Sequence, residues 1–162
     1  MTDAARNTAV APSAPIAPVQ VGALTPPDRD AWERLARGYH DFYRETLPAE
    51  AYEETWRRLM QRSAIFGAGA YLDGQLVGIV HHLFHEHVWS GKVCYLQDLF
   101  VDEHVRGNGI GRALIEHVSD DARERGAFRV YWSTAGDNTT ARRLYDKVAQ
   151  LTPFLRYDRP LS

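Results

Sequence analysis

Glycines alternate through Arg106, Gly107, Asn108, Gly109, Ile110, Gly111 and Arg112, between a strand-like run at 93–101 and a helical pattern starting near Ile110. Glycine holds backbone conformations that other residues avoid and lets a ligand approach the main chain. At a strand-to-helix junction, free N–H groups and the positive end of the helix dipole then face an anion. An arginine stands on each side. The junction therefore asks for an α/β arrangement and suits a phosphate-bearing ligand.

Two common phosphate binders are excluded by residues that are missing. A nucleoside-triphosphate loop ends in Gly-Lys-Ser/Thr, whereas Gly111 is followed by Arg112 and Ala113. A dinucleotide fingerprint needs a carboxylate about twenty positions on, at the tip of the next strand. That tip reads Trp132, Ser133, Thr134. Taken alone, the loop is equally compatible with a plain turn.

The 162 residues suffice for one domain with a real core, expected over 19–162. Net charge is −2 with no long run of one sign, which argues against an extended nucleic-acid footprint. No stretch approaches the roughly 20 apolar residues of a membrane span. Residues 1–18 are rich in Ala and Pro without hydrophobic periodicity and predict a disordered tail. Cys94 is the one cysteine and falls in an apolar strand pattern, so a buried thiol and a reducing, cytoplasmic setting are expected.

Periodicity predicts a strand at 19–24 and a helix after Thr25, Pro26, Pro27 and Asp28 that carries Trp32, Leu35, Ala36, Tyr39, Phe42 and Tyr43. A second helix follows Pro48, with Tyr52, Trp56, Leu59 and Met60. Strands at 65–72 and 75–84 are joined by Asp73-Gly74, a tight-hairpin signal. A strand at 92–101, a helix at 109–125 closed by Gly126, a strand at 128–133, a helix at 138–149 and a last strand at 154–159 complete the order. This is an α/β chain with a mixed sheet.

The segment Tyr95, Leu96, Gln97, Asp98, Leu99, Phe100, Val101, the glycine loop, then Trp132, Asn138, Arg142, Leu144 and Tyr145, resembles the GCN5-related N-acetyltransferase (GNAT) superfamily. Arg106, Gly109 and Gly111 match its coenzyme A loop. Trp89, Ser90, Gly91 and Lys92 add a likeness to the spermidine/spermine and Hpa2-like acetyltransferases. The resemblance implies a mixed, mostly antiparallel central sheet flanked by helices, acetyl-CoA as cosubstrate, a small-molecule amine as acceptor and a homodimer.

The same resemblance implies site residues. The pantetheine arm is peptide-like and would pair with the backbone of Leu99, Phe100 and Val101, as a peptide adds to a sheet edge. Gly107, Asn108, Gly109, Ile110, Gly111 and Arg112 would hold the pyrophosphate together with Arg106. Asn138 caps a helix and would touch the coenzyme arm; Lys147 is an exposed helix lysine or a phosphate contact. Tyr145 is the expected general acid: a phenol of pKa about 10 stays protonated near neutrality and faces a departing thiolate whose thiol titrates near 8.5. Gln97 and Trp132 are expected on the acceptor side, beside an aromatic region of Tyr39, His40, Tyr43, Tyr52 and Trp56 that suits an ammonium group.

Deprotonation of the amine is left open. Gln97 stands where polyamine-acetylating relatives carry a glutamate, and it accepts no proton. Asp98, a histidine or a water chain remain, with Asp98 alternatively a structural carboxylate at a strand bulge. His81, His82, His85 and His87 are expected at a polar acceptor-facing rim, with His82 on the opposite strand face; no metal site is expected. Two other readings stay open: a catalytically idle acyl-CoA-binding sensor, and a protein lysine acetyltransferase.

Overall fold

A computed structural model describes residues 18–161. The expected tail lies outside the described residues except for its last position. Five strands form one sheet in chain order: β1 (Gln20–Ala23), β2 (Ile65–Leu72), β3 (Gln75–His87), β4 (Gly91–Val101) and β5 (Val130–Tyr131). The first four pair antiparallel, and β4 pairs parallel with β5. Asp73 and Gly74 both take positive φ (49° and 75°), the two-residue turn that matches strand twist and closes β2 on β3.

Helices α1 (Arg29–Phe42) and α2 (Ala49–Gln61) cover one face of the sheet, and α3 (Ile110–Glu124) covers the other. The Thr25 backbone N–H and hydroxyl both donate to the Asp28 carboxylate at 2.7 Å, which fixes the entry to α1. Trp32, Leu35, Tyr52, Trp56 and Leu59 bury together with Ile79 beneath the helix pair. On the other face Leu114, Ile115, Val118 and Ala122 of α3 lock onto Val80, Cys94 and Leu96. Gly126, at φ 74°, ends α3. Helix α4 (Thr139–Val148) lies beside α3, with Leu144, Tyr145 and Val148 packed against that second cluster. None of the described helices is long and apolar enough to cross a membrane.

Three boundaries depart from the sequence pattern. Strand β3 runs on to His87 because β4 supplies partners down to Gly91. Strand β5 is only two residues rather than 128–133, since its ladder with β4 covers only Cys94↔Val130 and Tyr95↔Tyr131, with the Phe128 N–H donating to the Lys92 carbonyl just ahead of it. The expected strand at 154–159 is absent. That segment has apolar strand composition but pairs with no strand, although Arg156 passes near Tyr95, and its Phe154, Leu155 and Tyr157 stand 81–90% exposed.

Candidate active site

The short β4–β5 contact opens the sheet. Beyond Tyr95, one edge of β4 keeps β3 as partner to Val101, while the opposite edge has no strand partner among the described residues. The Asp102 N–H donates to the Val77 carbonyl at 2.9 Å, so Asp102 faces β3. Strand alternation then sends the N–H and C=O of Val101 and Leu99 toward the opening. This is an unfilled edge suited to an extended amide-bearing chain. Of the expected strand residues, Phe100 differs: its ring lies under Gly38 of α1, and its carbonyl faces Gly78 of β3.

The glycine loop follows directly. Gly107 (φ 87°) and Gly109 (φ 78°) hold left-handed conformations, and a Cβ at either would meet nothing within 4 Å. The second observation shows open space beside the loop; the first shows why glycine is needed. Gly109 is the N-cap of α3, so the first N–H groups of a fifteen-residue helix point out beside it. Arg106 donates from Nε to the Val101 carbonyl at 3.0 Å and lies over the Phe100 ring, which ties the loop to the open strand. Asn108 turns its amide back to the Val105 carbonyl. Ile110 buries its side chain in the core and offers only backbone. Gly111 lets α4 approach: a Cβ there would sit 3.1 Å from the Leu144 side chain. Arg112 is exposed on the first turn of α3.

Helix α4 carries Tyr145 to the same opening. Asn138 caps it, its side-chain oxygen accepting from the Ala141 N–H at 3.3 Å while its amide donates to Thr134. Tyr145 packs edge-to-face on Trp132, with ring centroids 5.3 Å apart. Burial, and secondarily the nearby Tyr43, push its hydroxyl up to about 12. Lys147 lies exposed on the last turn of α4.

Across the opening, β4 bulges. His81 pairs with Asp98 but His82 pairs with Leu96, so Gln97 is the extra residue, exposed and unpaired. Asp98 binds side chains rather than the backbone groups expected of a bulge carboxylate. It accepts from His81 Nδ1 at 2.9 Å, and the Tyr39 hydroxyl lies near enough to favour its charged form. Burial favours the neutral acid, but the His81 bond, with the Tyr39 hydroxyl nearby, outweighs it and holds the Asp98 carboxyl below its ordinary range. The Trp32 indole N–H donates to His81 Nε2 at 2.9 Å.

The histidine rim is corrected in part. His81 and His82 both turn inward. His82 is 3% exposed and bonds Asp121 at 2.8 Å, on the α3 side. His85 bonds the Tyr131 hydroxyl at 2.9 Å, and His87 packs edge-on against Phe128. Among the described residues, no three His, Cys, Asp or Glu side chains gather as metal ligands. Tyr52 and Trp56 are buried in the helix-pair core, and His40 meets the Tyr52 hydroxyl at 3.2 Å, whereas Tyr39 lies near Asp98 and Tyr43 near Tyr145. The Trp32–His81–Asp98–Tyr39 chain has no local sequence signature; only the hairpin register, which sets His81 opposite Asp98, could have indicated it.

Comparison with known proteins agrees with this geometry. Residues 32–149 match the model of the acetyltransferase (GNAT) family. The chain is 37% identical over 145 residues to D-amino-acid N-acetyltransferase HPA3 of Saccharomyces cerevisiae, covering 87% of this chain and 90% of the other. It is 26% identical over 95 residues to thialysine N-epsilon-acetyltransferase of Caenorhabditis elegans, 59% of either chain. Aminoglycoside acetyltransferase AAC(6')-Iy, solved with a bisubstrate analogue, superposes with a TM-score of 0.79 at 17% identity, over 90% of this chain and all of that one.

Proposed function

Because the chain belongs to the acetyltransferase (GNAT) family and is an acetyl-CoA-dependent N-acetyltransferase, we propose that it acetylates a primary amine of a small polyamine-like or amino-acid-like molecule by direct attack in a ternary complex. The carrying observation is the β4 edge left open beside Gly107 and Gly109, with Tyr145 beyond it. The residues present fit acetyl-CoA. Backbone groups of Leu99 and Val101 would pair with the pantetheine amides, and the amides from Gly107 to Arg112 would hold the pyrophosphate with Arg106 beside them. Asn138 would meet the arm from α4, and Lys147 the phosphate side.

In this reading the bound thioester supplies the acetyl group and its leaving sulfur. A backbone N–H of the open strand polarises the carbonyl and stabilises the oxyanion. The amine lone pair attacks that carbon, the C–S bond breaks, and Tyr145 donates a hydrogen bond to the departing sulfur. The ammonium proton and the second N–H proton pass to water, and the thiolate takes one back. Gln97 and Trp132 border the acceptor. Similarity to the D-amino-acid and thialysine enzymes supports an acceptor of amino-acid size.

The same reading includes a homodimer, supported by the tail after α4. Leu151, Phe154, Leu155, Tyr157 and Leu161 stand 75–90% exposed. At roughly 120 Å² of exposed area each, two copies would bury on the order of 1,200 Å², the lower end of a standard interface. Release of free thiol from acetyl-CoA against a panel of amines tests the activity. Acetyl-CoA binding without release by any amine would favour an acyl-CoA sensor instead.

A further inference from the structure

Asp98 is held far more firmly than a bulge requires. Indole offers only an N–H, so His81 Nε2 is the accepting nitrogen and the proton of neutral His81 sits on Nδ1, aimed at Asp98. The line Trp32–His81–Asp98 crosses from α1 through β3 to β4, and Tyr39 of α1 closes on the same carboxylate. The Asp98 side chain still keeps 24% of its surface exposed. A carboxylate has about four lone-pair sites, so acceptor capacity remains beyond the His81 bond and the nearby Tyr39 hydroxyl.

The surroundings favour a cation. His40 also stands near Asp98, and Glu45 and Tyr43 lie beside Tyr39. The Tyr39 and Tyr43 rings are 5.0 Å apart at the C-terminal, negative end of α1. Tyr43 also lies near enough to Tyr145 to add to the upward push on its hydroxyl.

Magnitude separates the two roles open to such a carboxylate. An alkylammonium titrates near 10.4, and Asp98 titrates below its ordinary 3.8. Transfer of the proton would run against a gap of more than about six units, roughly a millionfold. Asp98 is therefore a poor base. An ammonium docked directly on it would hold its proton more tightly, by about 1–3 units. The reacting nitrogen thus belongs elsewhere, beside neutral Gln97 on the exposed bulge.

We propose that Asp98 seats a second cationic group of the acceptor, which is a diamine or a basic amino acid, and that His81, Trp32 and Tyr39 are positioning residues for that carboxylate. Seating that charge keeps the reacting amine off the carboxylate, and its proton leaves to water. This subsite rests on the acetyl-transfer reading given above.

The test uses the full chain with acetyl-CoA and matched acceptors: 1,4-diaminobutane against butylamine, and lysine against norleucine. The wild type should favour the dication by about 10- to 100-fold in kcat/KM, as expected for one charge-assisted hydrogen bond. Asp98→Asn should erase that preference, chiefly through KM. His81→Leu should reduce it, while His81→Asn, which can keep an N–H toward Asp98, should restore most of it. Equal kcat/KM for both members of each pair in the wild type overturns the subsite but leaves acetyl transfer standing. So does an Asp98→Asn loss that is the same for both members. Absence of amine-dependent thiol release from a wild type that binds acetyl-CoA removes both readings.

Discussion

Tyr145→Phe removes one oxygen from a ring held mainly by shape. The ring packs edge-to-face on Trp132, and no hydrogen bond contributes to the raised hydroxyl pKa, only burial and Tyr43. Stability should therefore change by less than about 1 kcal/mol, a Tm shift of no more than about 4 °C. Catalysis should change more. At about 12, the phenol lies about 3.5 units above a thiol of about 8.5, so outright proton transfer to the sulfur is uphill by about 5 kcal/mol. Tyr145 is therefore expected to act as a hydrogen-bond donor to developing negative charge, a contribution of about 1.5–3 kcal/mol. The expected fall in kcat is about 10- to 150-fold, with acetyl-CoA affinity retained. Thiol release gives kcat, and calorimetric titration of acetyl-CoA gives the affinity. The wild-type rate should also show no alkaline limb from this group below about pH 11, whereas a free phenol would produce one near 10. An unchanged kcat, a matching loss of acetyl-CoA affinity, or a limb near pH 10 would refute this account; a loss above about a thousandfold would point to full proton transfer.

The loop, the core and the tail give three further expectations. Gly109→Ala meets no neighbour, so its cost is the left-handed backbone alone, about 1–2 kcal/mol in chemical unfolding, with weaker acetyl-CoA binding; unaltered stability would show that the loop does not need φ 78°. Burial holds His82 below its ordinary 6.5 despite Asp121, so the unfolded chain takes the proton first. Its contribution is then fully present above about pH 7 and declines as pH falls through about 6.5, and His82→Leu should flatten that slope in urea titrations run from pH 8 to 5. Replacing Phe154 and Tyr157 by serine should shift light-scattering mass from dimer to monomer; a dimer that survives unchanged places the interface elsewhere.

Much of the fold was legible because its signals are local. Asp73-Gly74 specified a hairpin through positive φ, Asn138 and Gly126 marked helix ends, and apolar spacing located α1, α2 and α3. The glycine loop was legible for the same reason, as an alternating glycine run between a strand and a helix, although its ligand needed the neighbouring motifs. The tail misled because Phe154, Leu155 and Tyr157 read as a strand, while a strand needs a partner edge that composition does not supply.

The sequence by itself located the elements from β1 to α4 and the glycine loop at a strand-to-helix junction, and it matched Tyr145 to the family motif. Tertiary structure alone decided that β5 leaves β4 after Tyr95, which opens the edge at Leu99 and Val101. It also turned Gln97 out at a bulge and set His81 against Asp98, with Trp32 and Tyr39 closing around them. Local spacing encodes periodicity and turns; register, bulges and pairing between distant residues depend on how whole strands and helices pack.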